Sequence, residues 1–548
     1  MLIGKLFRLY LVVLTFCMAC VVGNSCVSMR RGGLEKYIEP TYFQSHRQAT
    51  GEMARLESLG TSESMSETVA TRDAGPLDIT IGEAILLALE NNRALIAERM
   101  SPSIRQTFED EENAQFDPTF KAGLSGSRKR IKSESSTTGS DIESGIKGVN
   151  PEIGQYFPTG TSLSFGLTSE KDWSDLYSDY YSTRVGLSVT QALLRGAGLD
   201  VNLADVRQAR LDTLSSQYEL RGFTEDLVAE VETTYWNYTL AQRQIEIYQQ
   251  SDELAEQQLN ETMERINVGK LAETELAAAK AEVALRREAL INAQSSLKSI
   301  RLRLLRLLNP PGSDLWTRMI VIRNLPAVAD VKLDSVEAHT ELALRLRSDL
   351  NQARLSLQRG QLDVVKTKNG LLPRMDLFIS FGKTGYADSF GSSVRDLDGK
   401  SNDIYAGIEF AFPIGNRDAE SLHRRAVLTT EQARIALENL SQLAELDVRS
   451  AYIEVNRASE QIEATAATRK LQEEKLRAET EKFRVGKSTS LLVAQSQRDL
   501  VDSQIAEIEA TVNHLNSLVE LFRLEGSLLE RRGISTDLIQ ETHLGEDE

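Results

Sequence analysis

The chain writes one turn twice. Glu264-Arg265-Ile266-Asn267-Val268-Gly269-Lys270 returns 217 positions later as Glu481-Lys482-Phe483-Arg484-Val485-Gly486-Lys487. A long proline-free pattern of polar and apolar residues runs into each copy, and another runs out. Glycine between two such runs reads as the bend of a helical hairpin, because it accepts the positive φ that ends a helix. The same displacement carries Tyr235 onto Tyr452, Ala209 onto Ala426 and Gly198 onto Gly415. The chain is therefore one structural unit repeated in tandem.

The front of the unit repeats with a displacement of 255: Phe116-Asp117-Pro118 falls on Leu371-Leu372-Pro373, and Leu95 on Leu350. The two displacements differ by 38, so the first copy holds about that many extra residues between its proline and its glycine. Insertions collect in surface loops. This predicts a long loop inside residues 125–182.

From Leu199 to Ile266 there are 68 residues without proline, or ~100 Å of helix at 1.5 Å per residue. Leu220, Leu227, Thr234, Ala241, Tyr248 and Ala255 fall on a seven-residue grid. Val231, Tyr238, Ile245, Leu259 and Ile266 interleave with it, broken at Asp252. That is a coiled-coil seam. The exit helix runs from Leu271 to Leu308 and stops at Asn309-Pro310-Pro311-Gly312. The second copy repeats the layout over 417–484 and from 488 to about 529.

Ahead of these helices the period changes. Residues 119–127, 161–168 and 183–193 of the first copy, and 374–383 and 403–414 of the second, alternate or carry β-branched and aromatic residues, and read as strands. Two of the three in the first copy form the expected strand pair. An odd count would leave the chain on the wrong side of a membrane, so 161–168, with Trp173 and the nearby tyrosines, is assigned to the enlarged outer loop, the alternative being an extension of a neighbouring strand beyond the bilayer. Ile81, Ala84, Ile85, Ala88, Leu89 and Leu95 make 79–100 helical.

Residues 1–26 place Lys5 and Arg8 before the apolar run 9–22 and then small residues, the three-part shape of a secretory signal. The run is shorter than the ~20 residues of a spanning helix. Cys20 and Cys26 each follow a small residue, which leaves lipidation at either one open. The domains expected are a signal (1–26), a tether (27–76), a first repeat (77–312), a linker (313–334), a second repeat (335–530) and a tail (531–548).

Composition removes several classes of function. All three cysteines lie in the first 26 residues, so the body has no disulfide framework and no cysteine metal site. The five histidines lack metal-ligand spacing. A net charge of −17 argues against nucleic acid as a partner. Catalysis would have to rest on carboxylates, and these follow helix-surface spacing without converging on a loop. The acidic balance favours cations.

Four strands, two per repeat, leave an open sheet with edges, unless copies of the chain close it. An exported, alternating strand set with aromatics near its ends suits a membrane barrel; a soluble sandwich on a coiled coil is the other solution. The order of helix, strand pair, long helix, Val-Gly turn and long helix, given twice after a signal, resembles the TolC-like family of outer-membrane efflux proteins over about residues 77–530. Phe116-Asp117-Pro118, Gln191-Ala192-Leu193-Leu194-Arg195-Gly196-Ala197-Gly198, Phe412-Pro413-Ile414-Gly415 and both Val-Gly-Lys turns carry the likeness.

The resemblance implies a mainly α fold with a membrane β-barrel part. Three protomers would each give four strands to a twelve-stranded barrel that continues as a helical tunnel. It implies a passive exit duct for a tripartite efflux or type I secretion system, seated in outer-membrane lipid and reaching into the periplasm, with no cofactor. Val268, Gly269, Lys270, Val485, Gly486 and Lys487 would then meet a periplasmic adaptor linked to a proton-driven or ATP-driven inner-membrane pump. Some relatives close the tunnel with aspartates after the second turn, where this chain reads Leu491-Leu492-Val493-Ala494-Gln495. Glu273 and Glu275 are the candidate carboxylates of the entrance. The rival reading is an exported coiled-coil scaffold without a pore.

Overall fold

A computed structural model describes residues 76–131 and 142–534, apart from 270, 313–314, 325, 327–332 and 486. The expected signal, most of the tether, both candidate lipidation cysteines and most of the tail lie outside the described residues.

Each repeat is a short helical run, a set of antiparallel strands and a long hairpin. In the first, β1 (Leu77–Ile79) leads to α1 (Ile81–Asn91), α2 (Arg93–Glu98) and α3 (Ser101–Asn113). Strands β2 (Thr119–Ile131), β3 (Ile142–Phe157), β4 (Thr161–Ser174) and β5 (Tyr177–Ala192) follow, then α4 (Ala204–Asn267) and α5 (Glu275–Leu308). In the second, β6 (Ile320–Ile322) leads to α6 (Val336–Leu346), α7 (Ser348–Gly370), β7 (Arg374–Ala387), β8 (Asn402–Ala411), α8 (Arg417–Arg484) and α9 (Ser490–Leu524).

Capping fixes where α1 starts. Thr80 and Glu83 form a reciprocal capping box. The expected helix over 79–100 is in fact a strand and two helices, because Asn92 breaks it: its side chain caps α2 through Ala94 and Leu95 and bonds the Leu307 carbonyl at 3.0 Å. The expected linker also carries structure, since β6 pairs in parallel with β1.

The long helices pack as a sheet of rods. α4 takes α3 and then α5 along one flank, and α7 and then α9 along the other; α8 packs on α7 and α9. The predicted seam holds: Leu220, Leu227, Thr234, Ala241 and Ala255 are buried. The core gathers part-way along α4, at Leu220–Tyr238. There α1, the C-terminal ends of α5 and α9, and Val448, Ala451 and Val455 of α8 converge. Tyr235 and Tyr238 donate to the carbonyls of Ile79 and Ile320 at 3.3 and 3.2 Å, fastening the β1–β6 pair to α4.

The strands form one six-stranded antiparallel sheet in the order β2-β3-β4-β5-β7-β8. The second repeat has its expected pair, β7 and β8, whereas the first corrects the expectation of two strands and of a long loop over 125–182: the insertion is the β3–β4 hairpin, built into the sheet. Residues 161–168 belong to β4, paired with β3 and β5, rather than to an outer loop. The count stays even, because β3 supplies the missing partner. Its Pro151 sits where the β3–β4 ladder skips Asn150 and Pro151, so no backbone donor is required there.

The inner turn of the hairpin is anchored. Asn202 Nδ2 donates to the carbonyls of Pro158, Gly196 and Gly198 at 3.0, 2.9 and 3.1 Å, and its Oδ1 accepts from the Tyr156 hydroxyl at 3.0 Å. Gly160 turns with φ 84°, and a Cβ there would lie 2.3 Å from the Gly196 carbonyl oxygen. Removing these bonds with Asn202→Ala should cost about 2 kcal/mol, read as a lowered midpoint in thermal unfolding.

Buried ionisable groups link the core elements. Arg221 bonds Glu225 at 3.1 Å and Glu530 at 2.7 Å. Burial pushes the Glu225 carboxyl up to about 7, against the opposing pull of Arg221. A carboxyl raised in the fold favours it fully below the unfolded value of about 4.5, and that contribution is lost as pH rises through about 7. The loss of melting temperature between pH 5 and pH 8 should therefore be smaller in Glu225→Gln than in the parent protein.

Candidate functional site

The two hairpins end side by side, and their tips are built alike. α4 ends at Val268 with its amide bonded to the Glu264 carbonyl; Gly269 takes φ 71° and donates to Ile266 at 2.9 Å. At the second tip the Lys487 amide reaches the Lys482 carbonyl at 2.8 Å, the six-to-one bond of a Schellman cap. Val268 and Val485 stand 67% and 68% exposed. A bend alone gives no reason for an apolar side chain there. Lys270 and Gly486 lie outside the described residues.

Other contacts join the two tips. The Ser490 hydroxyl donates to Glu275, tying the start of α9 to the start of α5. Glu275 is thus a half-buried link between hairpins, whereas Glu273 points into solvent. The Arg265 guanidinium lies 4.9 Å from the centre of the Phe483 ring, a cation–π contact from α4 to α8. Arg498 of α9 reaches Glu282 of α5 at 3.7 Å, and Arg286 bonds the same carboxylate at 2.9 Å.

The second tip is pinned from within. Lys482 and then the Ser488 hydroxyl, 2.9 Å away, hold the Glu479 carboxyl below its usual range. Lys475 pairs with Asp499 at 2.6 Å. Leu491 and Leu492 are exposed, while Val493 is buried.

Sequence reading found the turns and missed these partners. Arg265 and Phe483 sit one position apart in the repeat alignment, but nothing in a single chain says that they touch. The groups at the tips pair with one another among the described residues, the Ser490 and Ser488 hydroxyls with the Glu275 and Glu479 carboxylates. Among the described residues, no group of three or more His, Cys, Asp or Glu could hold a metal ion, and no helix is long and apolar enough to cross a membrane.

Known proteins share this architecture. The chain is 23% identical over 365 residues to the outer membrane protein TolC of Vibrio cholerae, covering 63% of this chain and 77% of that protein. The CmeC outer membrane channel of Campylobacter jejuni superposes with a TM-score of 0.62 at 16% identity, over 88% of this chain and 96% of that one. The outer membrane protein VceC of Vibrio cholerae does so at 0.58 and 16%, over 81% and 96%. The family model described as outer membrane efflux protein matches residues 84–310 and 340–527. The chain belongs to that family, whose members are channel proteins of the outer membrane that extend into the periplasm and are not enzymes.

Proposed function

We propose that three copies of this chain close into a passive exit duct, the outer-membrane part of a tripartite efflux or type I secretion system. The observation that carries the reading is the pair of unfilled flanks. On α8, Leu428, Ile435, Leu446, Ile453 and Leu471 are exposed. Their spacings of 7, 11, 7 and 18 keep them within ~40° of one line on a helix of 3.6 residues per turn. On the opposite flank, Ile104 and Phe108 of α3 and Leu285 and Ile291 of α5 are exposed too. Burying such a side chain contributes about 1.5–3 kcal/mol, so a neighbouring copy laid along the stripe would be held firmly.

The sheet supports the same reading. Its strands present one apolar face and one mainly polar face, as in a barrel wall between lipid and water. The paired tips suit a periplasmic adaptor, which would link the duct to an inner-membrane pump. Val268, Gly269, Lys270, Val485, Gly486 and Lys487 would form that surface: two exposed apolar knobs ringed by charge. Glu273 and Glu275 would stand at the entrance. A pore-free scaffold gives no account of an apolar face on every strand.

Replacing Ile435 and Ile453 together by Asp should abolish the trimer, seen as monomer mass in detergent by light scattering. The parent protein, purified from outer membranes, should give discrete conductance steps in a planar bilayer, more readily after Val268→Ser with Val485→Ser. The polar face carries Glu152, Glu170, Asp172, Asp376, Asp403 and Glu409 against Lys121, Lys129, Arg184 and Arg374. Reversal potentials should therefore show cation preference. Silence from both proteins as intact trimers would favour the scaffold.

A further inference from the structure

The β3–β4 hairpin lies within the ladder, between β2 and β5, not beside the sheet. One row of paired residues crosses all six strands: Phe120, Ile153, Phe165, Leu187, Phe381 and Ile404. Every member is apolar, and all lie on one face. The hairpin gives that face Val149, Pro151, Ile153, Leu163, Phe165 and Leu167. Ile153 and Phe165 are exposed, as Ile379 of β7 and Ile404 of β8 are. On its other face the hairpin places Asn150, Glu152, Ser164 and Gly166. A flap standing in water would gain nothing from keeping an exposed apolar row in line with its neighbours.

The apolar residues also step along the strands. Counting two residues on from the Phe120–Ile404 row, Ala122, the middle of the set in β2, stands level with Asn402 in β8, whereas the apolar set of β8 is centred near Ala406 and Ile408. The offset is roughly one residue per strand, the stagger of tilted barrel strands. It runs through β3 and β4 without interruption.

We propose that the β3–β4 hairpin is part of the transmembrane wall, so that each protomer contributes six strands and three copies close an eighteen-stranded barrel. The inference rests on the trimeric reading. The occupant of the free β2 and β8 edges is a second copy. β2 leaves the helical end of the molecule and β8 returns to it, so β8 of one copy meets β2 of the next antiparallel. The apolar stripe of α8 continues the β8 edge, while Ile104 and Phe108 of α3 continue the β2 edge. One neighbour would thus cover strand edge and helix flank together.

Barrel diameter grows roughly linearly with strand number. Six strands per copy instead of four would widen the mouth about 1.5-fold and its cross-section about twofold. The hairpin thus acts as a size-setting element, suited to bulkier cargo than a two-strand repeat would pass. Its removal is topologically neutral, because β2 and β5 are themselves antiparallel.

The test is site-directed spin labelling of the full trimer in lipid bilayers, one label at a time along 149–153 and 163–167, with 185–189 of β5 and 404–408 of β8 as references. Oxygen collisions should peak at the apolar positions and nickel-chelate collisions at those between, in phase with β5. Uniform nickel access in β3 and β4, with alternation kept in β5 and β8, would overturn the inference and leave the duct standing. Loss of alternation in the reference strands as well would overturn both. Width is read separately by modifying Ser164→Cys, or Ser188→Cys in a variant lacking residues 132–176, from outside with polyethylene-glycol maleimides of graded size. A smaller cut-off in the shortened protein supports the widening, and an equal one overturns it.

Discussion

Two helices of 64 and 68 residues cannot be held straight by narrow seams alone, and the apolar knot at Leu220–Tyr238 of α4 supplies what the seams lack. At that level the helix is enclosed by α1, α5, α9 and the β1–β6 pair. Tyr235 is fully buried and still donates its hydroxyl, so it brings apolar area without leaving a polar atom unpaired. Above and below the knot, α4 has rows of single neighbours. The register of both hairpins relative to the sheet is therefore set here.

Charge is used differently at the two levels. Around the knot, carboxylates are fully buried, beneath arginines that stay part-exposed. Glu232 is held by Arg532 through two bonds of 2.6 Å, and Glu525 meets His339 and Arg531. Losing one member of such a set strands the other in a poor solvent for charge, which is strongly destabilising. Toward the tips the pairs are half exposed: Lys475 with Asp499, Arg498 with Glu282. Pairs of that kind contribute about 1 kcal/mol or less each.

The sequence announced what depends on spacing and hid what depends on neighbours. The Val-Gly turns, the proline-free spans and the seam through Leu220, Leu227 and Ala241 repeat with fixed periods that a single chain displays. The size of the insertion was legible too, from two displacements. Its nature was not. β3 carries Pro151 and three glycines among charged residues, a composition that reads as loop. Only its place between β2 and β4, with the Pro151 rung left open, makes it a strand. Likewise half of what holds Asn92 at its break was hidden: the cap on Ala94 and Leu95 is local, but the Leu307 carbonyl that its amide bonds is 215 residues away. The links between the tips fall in the same class, since Glu275 and Ser490 belong to different repeats.

These unequal bonds order the molecule's motions. A force that spreads the two hairpins meets Ser490–Glu275, Arg265–Phe483 and Arg498–Glu282 first, each exchangeable for water at small cost. It meets the enclosed core and its buried pairs only later. Opening from the tip therefore costs far less than opening from the middle. No dedicated carboxylate after the second turn is needed for that asymmetry. Several weak polar links in series join the tips without locking them, while the knot at Tyr235 keeps the helix layer beyond them intact.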